Sequence, residues 1–138
     1  MSDTDLFGEE HVRRYIETGG EVGYTWREGS PTLLLTVTGR KTGREYTTPL
    51  IFGRDGENLV LVASQGGRPQ HPDWYLNLVE HPEVGVQVKA DVFRARARTA
   101  EGEERERLWR QMNGIWRHYD EYQAKTERVI PVVVLERL

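Results

Sequence analysis

Cysteine is absent from the 138-residue chain, which excludes a disulfide framework, a thiolate nucleophile, an iron–sulfur cluster and any cysteine-ligated zinc site. Long apolar runs are missing as well. The longest, Thr32 to Thr38 and Val129 to Leu135, fall far short of the roughly 18 residues that span a bilayer as a helix, so stable membrane insertion is not expected. The opening Met-Ser-Asp-Thr-Asp has neither a basic nor an apolar leader segment, and a cytoplasmic protein is expected. Nor is there an excess of positive charge. The formal net charge is -3, whereas phosphate-backbone binders present a basic face and a domain pI above about 9, so nucleic acid is not an expected partner. The four histidines, His11, His71, His81 and His118, have no metal-ligand spacing and no cysteine to join them, and no metal site is expected. Oligomeric state has no readable signal.

What is present suits one α+β domain over residues 1–138, long enough to bury roughly 70% of the surface of the unfolded chain. Glu9 to Thr18 places Val12, Tyr15 and Ile16 on one helical face and ends at Gly19-Gly20, a helix closed by a glycine cap. Thr32–Thr38 reads as a strand. The Gly39-Arg-Lys-Thr-Gly43 insert makes a hairpin to a second strand, Glu45–Phe52, in which Pro49 marks a bulge or an edge. Asn58–Ser64 is the third strand of an expected meander. Asp73 caps a short helix through Leu78 or Val79. Val84–Lys89 and Val92–Thr99 follow as strands, the latter alternating Phe93, Ala95 and Ala97 with Arg94, Arg96 and Arg98. Glu103–Trp116 is helical, with Glu103/Arg107 and Glu106/Arg110 as i,i+4 pairs, and Val129–Glu136 closes the chain. About six strands with inserted helices predict a small antiparallel barrel flanked by helices.

Familiar catalytic signatures fail residue by residue. Gly39-Arg-Lys-Thr-Gly43 closes too early for a phosphate-binding P-loop and lacks its Lys-Ser/Thr. Ala63 replaces the first glycine that a nucleophile elbow at Ser64 requires. Three clusters remain. Arg40 and Lys41 project from a glycine-bounded hairpin, where arginine can grip a phosphate bidentately; ordinary turn charge is the plainer alternative. Trp74-Tyr75-Leu76-Asn77 opens a helix whose free N–H groups and flat rings could hold a planar heterocycle, or simply pack the core. Tyr119 and Tyr122 lie at i and i+3 on one helix face and could donate protons or hydrogen bonds to a developing oxyanion. No nucleophile accompanies them, as expected if a bound cofactor carries the hard step.

In this order, Thr38-Gly-Arg-Lys-Thr-Gly43, Thr48-Pro-Leu50, Val62-Ala-Ser64 with Gly66-Gly67, His71-Pro-Asp-Trp-Tyr-Leu-Asn-Leu78, Tyr119 to Gln123 and Thr126-Glu-Arg-x-Ile-Pro-Val133 resemble the deazaflavin-dependent nitroreductase family, which uses coenzyme F420. The resemblance implies a split β-barrel of the FMN-binding type and hydride transfer from reduced F420 to a quinone, activated alkene or nitroaromatic acceptor. It implies that Arg40, Lys41 and Thr42 meet the phosphate and acidic tail of the coenzyme and that Thr48, Pro49 and Leu50 line the deazaflavin slot. Ala63, Ser64 and Trp74, Tyr75, Leu76 and Asn77 would complete that slot, with Tyr119 and Tyr122 on the acceptor side, where Tyr119 or solvent is the expected proton source and Tyr122 the weaker contributor. Where many relatives carry Pro-Arg and Ser-Lys-Gly, this chain has Glu45-Tyr46 and Ser64-Gln65-Gly66, two positive charges fewer. An FMN-dependent reductase on the same barrel, and a non-catalytic carrier of F420 or of a hydrophobic ligand, are the competing readings.

Overall fold

A computed structural model describes residues 3–138. The first helix, α1 (Gly8–Thr18), ends at Gly19 in the left-handed conformation, and the Gly20 N–H caps the Tyr15 carbonyl at 2.8 Å, the backbone freedom for which glycine is selected at helix ends. The face it buries differs from the expected one. His11 and Tyr15 are buried, whereas Ile16 is 56% exposed. The helix docks through polar tethers: the Tyr15 hydroxyl donates to the Thr32 carbonyl at 2.9 Å and accepts from the Lys89 N–H at 2.8 Å, which rotates Ile16 toward solvent.

Seven strands form one antiparallel sheet: β1 (Thr32–Thr38), β2 (Glu45–Ile51), β3 (Gly53–Asp55), β4 (Asn58–Val62), β5 (Glu83–Val88), β6 (Asp91–Thr99) and β7 (Val132–Arg137). Their spatial order is β2-β1-β5-β6-β7-β4-β3. Only Phe52 separates β2 from β3, yet these strands are the two ends of that order, so the sheet must curl round until its edges meet. The result is the half-barrel that the sequence predicts. The expected meander is corrected: β1 and β2 form the hairpin, but β4 pairs with β3 and β7. The added strand is β3, which follows the predicted second strand directly after the buried Phe52, where a turn at Arg54–Glu57 is expected from the sequence. Pro49 faces Leu34 on the edge strand β2, where a missing N–H breaks no second ladder.

Alternation along β4 and β7 divides the core. Leu59, Leu61, Val133 and Leu135 point into the barrel, while Val60, Val62, Val132 and Val134 join an outer cluster under α3 (Gly102–Ile115). Burial on both faces explains why these strands read as continuous apolar runs. β7 starts at Val132 and not at Val129, since Val129 is exposed and Pro131 has no N–H to donate. The expected pairs within α3 do not form. Arg107 grips Asp55 at 2.9 and 3.1 Å, and Glu104 accepts from Arg98 at 2.6 and 2.9 Å, because bidentate partners on neighbouring strands outcompete flexible i,i+4 contacts.

Candidate functional site

The turn between β1 and β2 is tied by the Gly39 N–H to the Arg44 carbonyl at 2.7 Å and by the Gly43 N–H to the Gly39 carbonyl at 2.9 Å. A Cβ on Gly39 would stand 2.6 Å from the Tyr46 ring, so glycine is what lets that ring lie across the turn. The Tyr46 hydroxyl bonds the Thr42 Oγ1 at 3.0 Å. Facing the turn is α2 (Asp73–Glu80), whose N-cap position is Pro72, with no side-chain cap bond. The expected cap at Asp73 is thereby corrected: its carboxylate turns instead to the Arg40 Nη2 at 3.4 Å. The nearly buried Asn77 Oδ1 accepts from both the Arg40 backbone N–H at 3.0 Å and its Nη1 at 2.7 Å.

Between turn and helix lies a cleft of about 510 Å³. Of the residues singled out in the sequence, Arg40, Lys41, Thr42, Thr48, Trp74 and Asn77 line it. Tyr46, Gln65 and Asp73 line it too. The first two are the positions that the family resemblance marks as lacking a positive charge, whereas the sequence predicts only a cap at Asp73. The cleft has two cations, Arg40 and Lys41, against one carboxylate, Asp73. Lys41 is exposed and forms no ion pair among the described residues, so a positive charge is left for an anionic group.

The other predicted residues lie around this cleft without lining it. Leu50 packs on the barrel core, and Ala63 is fully buried with its N–H on the Pro131 carbonyl at 2.9 Å. The Tyr75 hydroxyl pairs with Thr99 Oγ1 at 2.8 Å and its ring stands 5.0 Å from His71; Leu76 is half-buried. Ser64 precedes Gln65 at the start of a loop that leaves β4 with Gln65, Gly66 and Gly67 all at positive φ. A Cβ on Gly67 would stand 2.6 Å from the Tyr122 carbonyl oxygen. One side of this loop therefore borders the cleft and the other packs on α4 (Tyr119–Ala124).

On α4 the Tyr119 and Tyr122 rings meet edge to face at 6.2 Å, as their spacing predicts, but their surroundings differ. Tyr119 is only 4% exposed and packed against Trp109; neither tyrosine lines the cleft or the hollow described below. Burial, and then the neighbouring Tyr122, push its phenol well above the ordinary range. Tyr122 is half-buried, and the Trp116 Nε1 donates to its hydroxyl at 3.4 Å. Trp116 in turn lies 5.5 Å from Trp26, an aromatic path for which the sequence offered no motif. Thr48 and Pro49 also border a second hollow of about 230 Å³, with Leu6, Phe7, Trp26 and Ile51 among its walls. Thr48 is thus shared by the polar cleft and the apolar hollow.

Comparison with known proteins identifies the family. A family model for F420H(2)-dependent quinone reductase matches residues 7–137. An F420H(2)-dependent quinone reductase of Mycobacterium tuberculosis is 39% identical over 130 residues, 92% of this chain and 87% of its own length. Among solved structures, an F420-H2 dependent reductase is 42% identical, with a TM-score of 0.72 over 77% of this chain and 94% of that one. A domain-swapped dimer is 39% identical, with a TM-score of 0.74 over 92% of this chain and 95% of that one. With the match running through nearly every element that builds the cleft, the chain belongs to the F420H(2)-dependent quinone reductase family.

Proposed function

We propose that coenzyme F420 lies in the cleft between the Gly39–Arg44 turn and α2, and that the quinone ring enters the hollow beyond Thr48. Family membership makes the protein an F420-dependent reductase, which sets aside both FMN as cofactor and the non-catalytic carrier. The observation that carries the placement is the excess cation at the cleft: Arg40 and Lys41 face a single carboxylate beside the Trp74 ring. Such a site fits an anionic tail joined to a flat heterocycle, with charge-assisted bonds for the one and an indole wall for the other.

When bound in reduced form, the coenzyme supplies a hydride; with one added proton it converts a quinone to a hydroquinone. The chain's residues orient and exclude. Arg40, held by Asn77, and Lys41 with Thr42 take the tail. Thr48, with Pro49 and Leu50 behind it, borders the junction of cleft and hollow where coenzyme and acceptor would come into contact, and Ala63, Ser64, Tyr75 and Leu76 support the slot from behind. Phe7 and Trp26 supply the apolar wall against which a quinone ring stacks. Tyr122 delivers the proton, while Tyr119 packs behind it, since a deeply buried phenol whose anion is disfavoured is the poorer acid. No helix of the described residues is long and apolar enough to cross a membrane, and we read the chain as one domain working in the cytoplasm.

Thermal unfolding with each cofactor tests this reading. F420 at 100 times its dissociation constant adds about 2.7 kcal/mol if it binds only the folded state, which for a chain of this length raises the Tm by roughly 10 °C. FMN is expected to shift it much less. An equal or larger shift with FMN would overturn the placement.

A further inference from the structure

We propose that Arg128 is a positioning residue, whose guanidinium holds the loop after β4 in the shape that presents Gln65 and its neighbouring N–H groups to the coenzyme. The proposal rests on the F420 reading of the cleft and extends it to a residue outside the cleft.

Arg128 lies between α4 and β7, half-buried, and donates from every nitrogen of its guanidinium. Nε reaches the Arg68 carbonyl at 2.8 Å, Nη2 the Ser64 carbonyl at 2.7 Å, and Nη1 both the Ala63 carbonyl at 3.2 Å and the His71 Nδ1 at 3.0 Å. Three of these acceptors are backbone oxygens of one six-residue stretch. Arginine alone offers donors in a fixed planar fan wide enough for such a set. Arg128 has no carboxylate partner among the described residues. A half-buried cation without an anion is unfavourable, so neutral side chains would satisfy a purely structural demand at less cost.

The loop itself needs holding. Ser64 is right-handed helical, and Gln65, Gly66 and Gly67 follow at φ 46°, 65° and 82°, a conformation that a side chain such as glutamine enters reluctantly. A right-handed residue followed by a left-handed one turns successive N–H groups toward one point, the geometry of an anion-binding nest. Within the loop the Gly67 and Arg68 N–H groups are satisfied by the Ser64 and Gln65 carbonyls at 2.9 and 3.2 Å, while those of Ser64, Gln65 and Gly66 have no acceptor among the described residues. Gln65 lines the cleft. Because the guanidinium cannot accept, His71 Nδ1 must accept and the ring is neutral, consistent with the lowering of its pKa by burial and by the Arg128 charge.

The test compares Arg128→Lys and Arg128→Met with the wild-type protein in two measurements. The first is F420 affinity, read from quenching of tryptophan fluorescence, alongside KM for a quinone. The second is amide hydrogen exchange. Affinity is expected to fall about 10-fold in the lysine variant and 30-fold or more in the methionine variant, with the quinone KM unchanged. Exchange at Gly67 and Arg68 is expected to accelerate while β4 and β7 stay protected. Wild-type affinity in both variants would overturn the proposal, as would exchange that rises throughout the sheet. A wild-type protein that does not bind F420 would overturn the coenzyme reading and the affinity claim with it; exchange confined to the loop would still support the holding role of Arg128.

Discussion

Asn77 Oδ1 accepts two hydrogen bonds from the same residue, the Arg40 backbone N–H at 3.0 Å and the Arg40 Nη1 at 2.7 Å. A single carboxamide oxygen on α2 thus sets both the height of the β1–β2 turn and the aim of its arginine. Asn77→Ala removes both bonds at once. The bond from the charged Nη1 contributes about 1.5–3 kcal/mol and that from the backbone N–H about 1 kcal/mol, and part of that is recovered by water here. F420 affinity is expected to fall about 10-fold, with a lower Tm. Asn77→Asp, which keeps the acceptor oxygen but adds a second carboxylate to the cleft, should restore the Tm without restoring the affinity; thermal unfolding and titration of both variants check the difference.

Arg40→Ala with Lys41→Ala should weaken the full coenzyme far more than a tail-less deazaflavin fragment, because the lost contacts are charge-assisted and aimed at the tail. The difference should shrink in high salt. Equal weakening of both ligands would show that these residues shape the turn and not the recognition of charge.

Tyr122→Phe is expected to slow single-turnover oxidation of the reduced coenzyme about 10- to 100-fold, the range of a general-acid contribution, with F420 affinity changed by less than about 1 kcal/mol. Tyr119→Phe should be nearly silent, since the Tyr119 hydroxyl makes no hydrogen bond among the described residues. Tyr119→Ala should destabilise the fold by about 3 kcal/mol through the cavity it leaves. Unchanged rates for Tyr122→Phe across several quinones would leave solvent as the proton source.

Glu28 latches the segment before β1 to the start of α4, accepting from His118 Nε2 at 2.7 Å and from Arg117 Nε at 2.8 Å. The bonds to Glu28 and then to Glu121 raise the His118 pKa, and His118 and then Arg117 lower that of Glu28. The histidine contribution is complete below its ordinary value of 6.5 and is lost as pH rises through the raised one. The carboxylate contribution is complete above 4.5 and is lost as pH falls through the lowered one. The latch is therefore strongest between these two limits. The Tm difference between wild type and Glu28→Gln, measured from pH 4 to pH 9, should be largest there; a difference independent of pH would refute the ion pair.

The strands and helices were legible because their periodicities are local: β6 alternates Phe93, Ala95 and Ala97 with arginines, and α1 stops at a glycine cap. Which strand lies beside which was not legible. The pairing of β4 with β7 depends on residues some 70 positions apart, and the apolar run Asn58–Val62 satisfies either neighbour equally well as a sequence. The same limit governed α1, whose buried face was decided by the Tyr15 hydroxyl and its bonds to Thr32 and Lys89 and not by the apolar count of its own surface.

By itself the sequence determined the order of elements, the glycine-bounded turn with Arg40 and Lys41, the aromatic helix that faces it and, through their combination, the family and its cofactor. Tertiary structure alone decided that Asn77 serves Arg40, that Arg128 holds the loop before α2, that Thr48 borders both cleft and hollow, and that Tyr119 is core while Tyr122 is only half-buried. The physical reason is that side-chain type and spacing are properties of neighbouring residues, whereas burial and hydrogen-bond partnership are set by the curl of the sheet. That curl brings distant carbonyls, amides and rings within 3 to 6 Å of one another, and no local pattern encodes it.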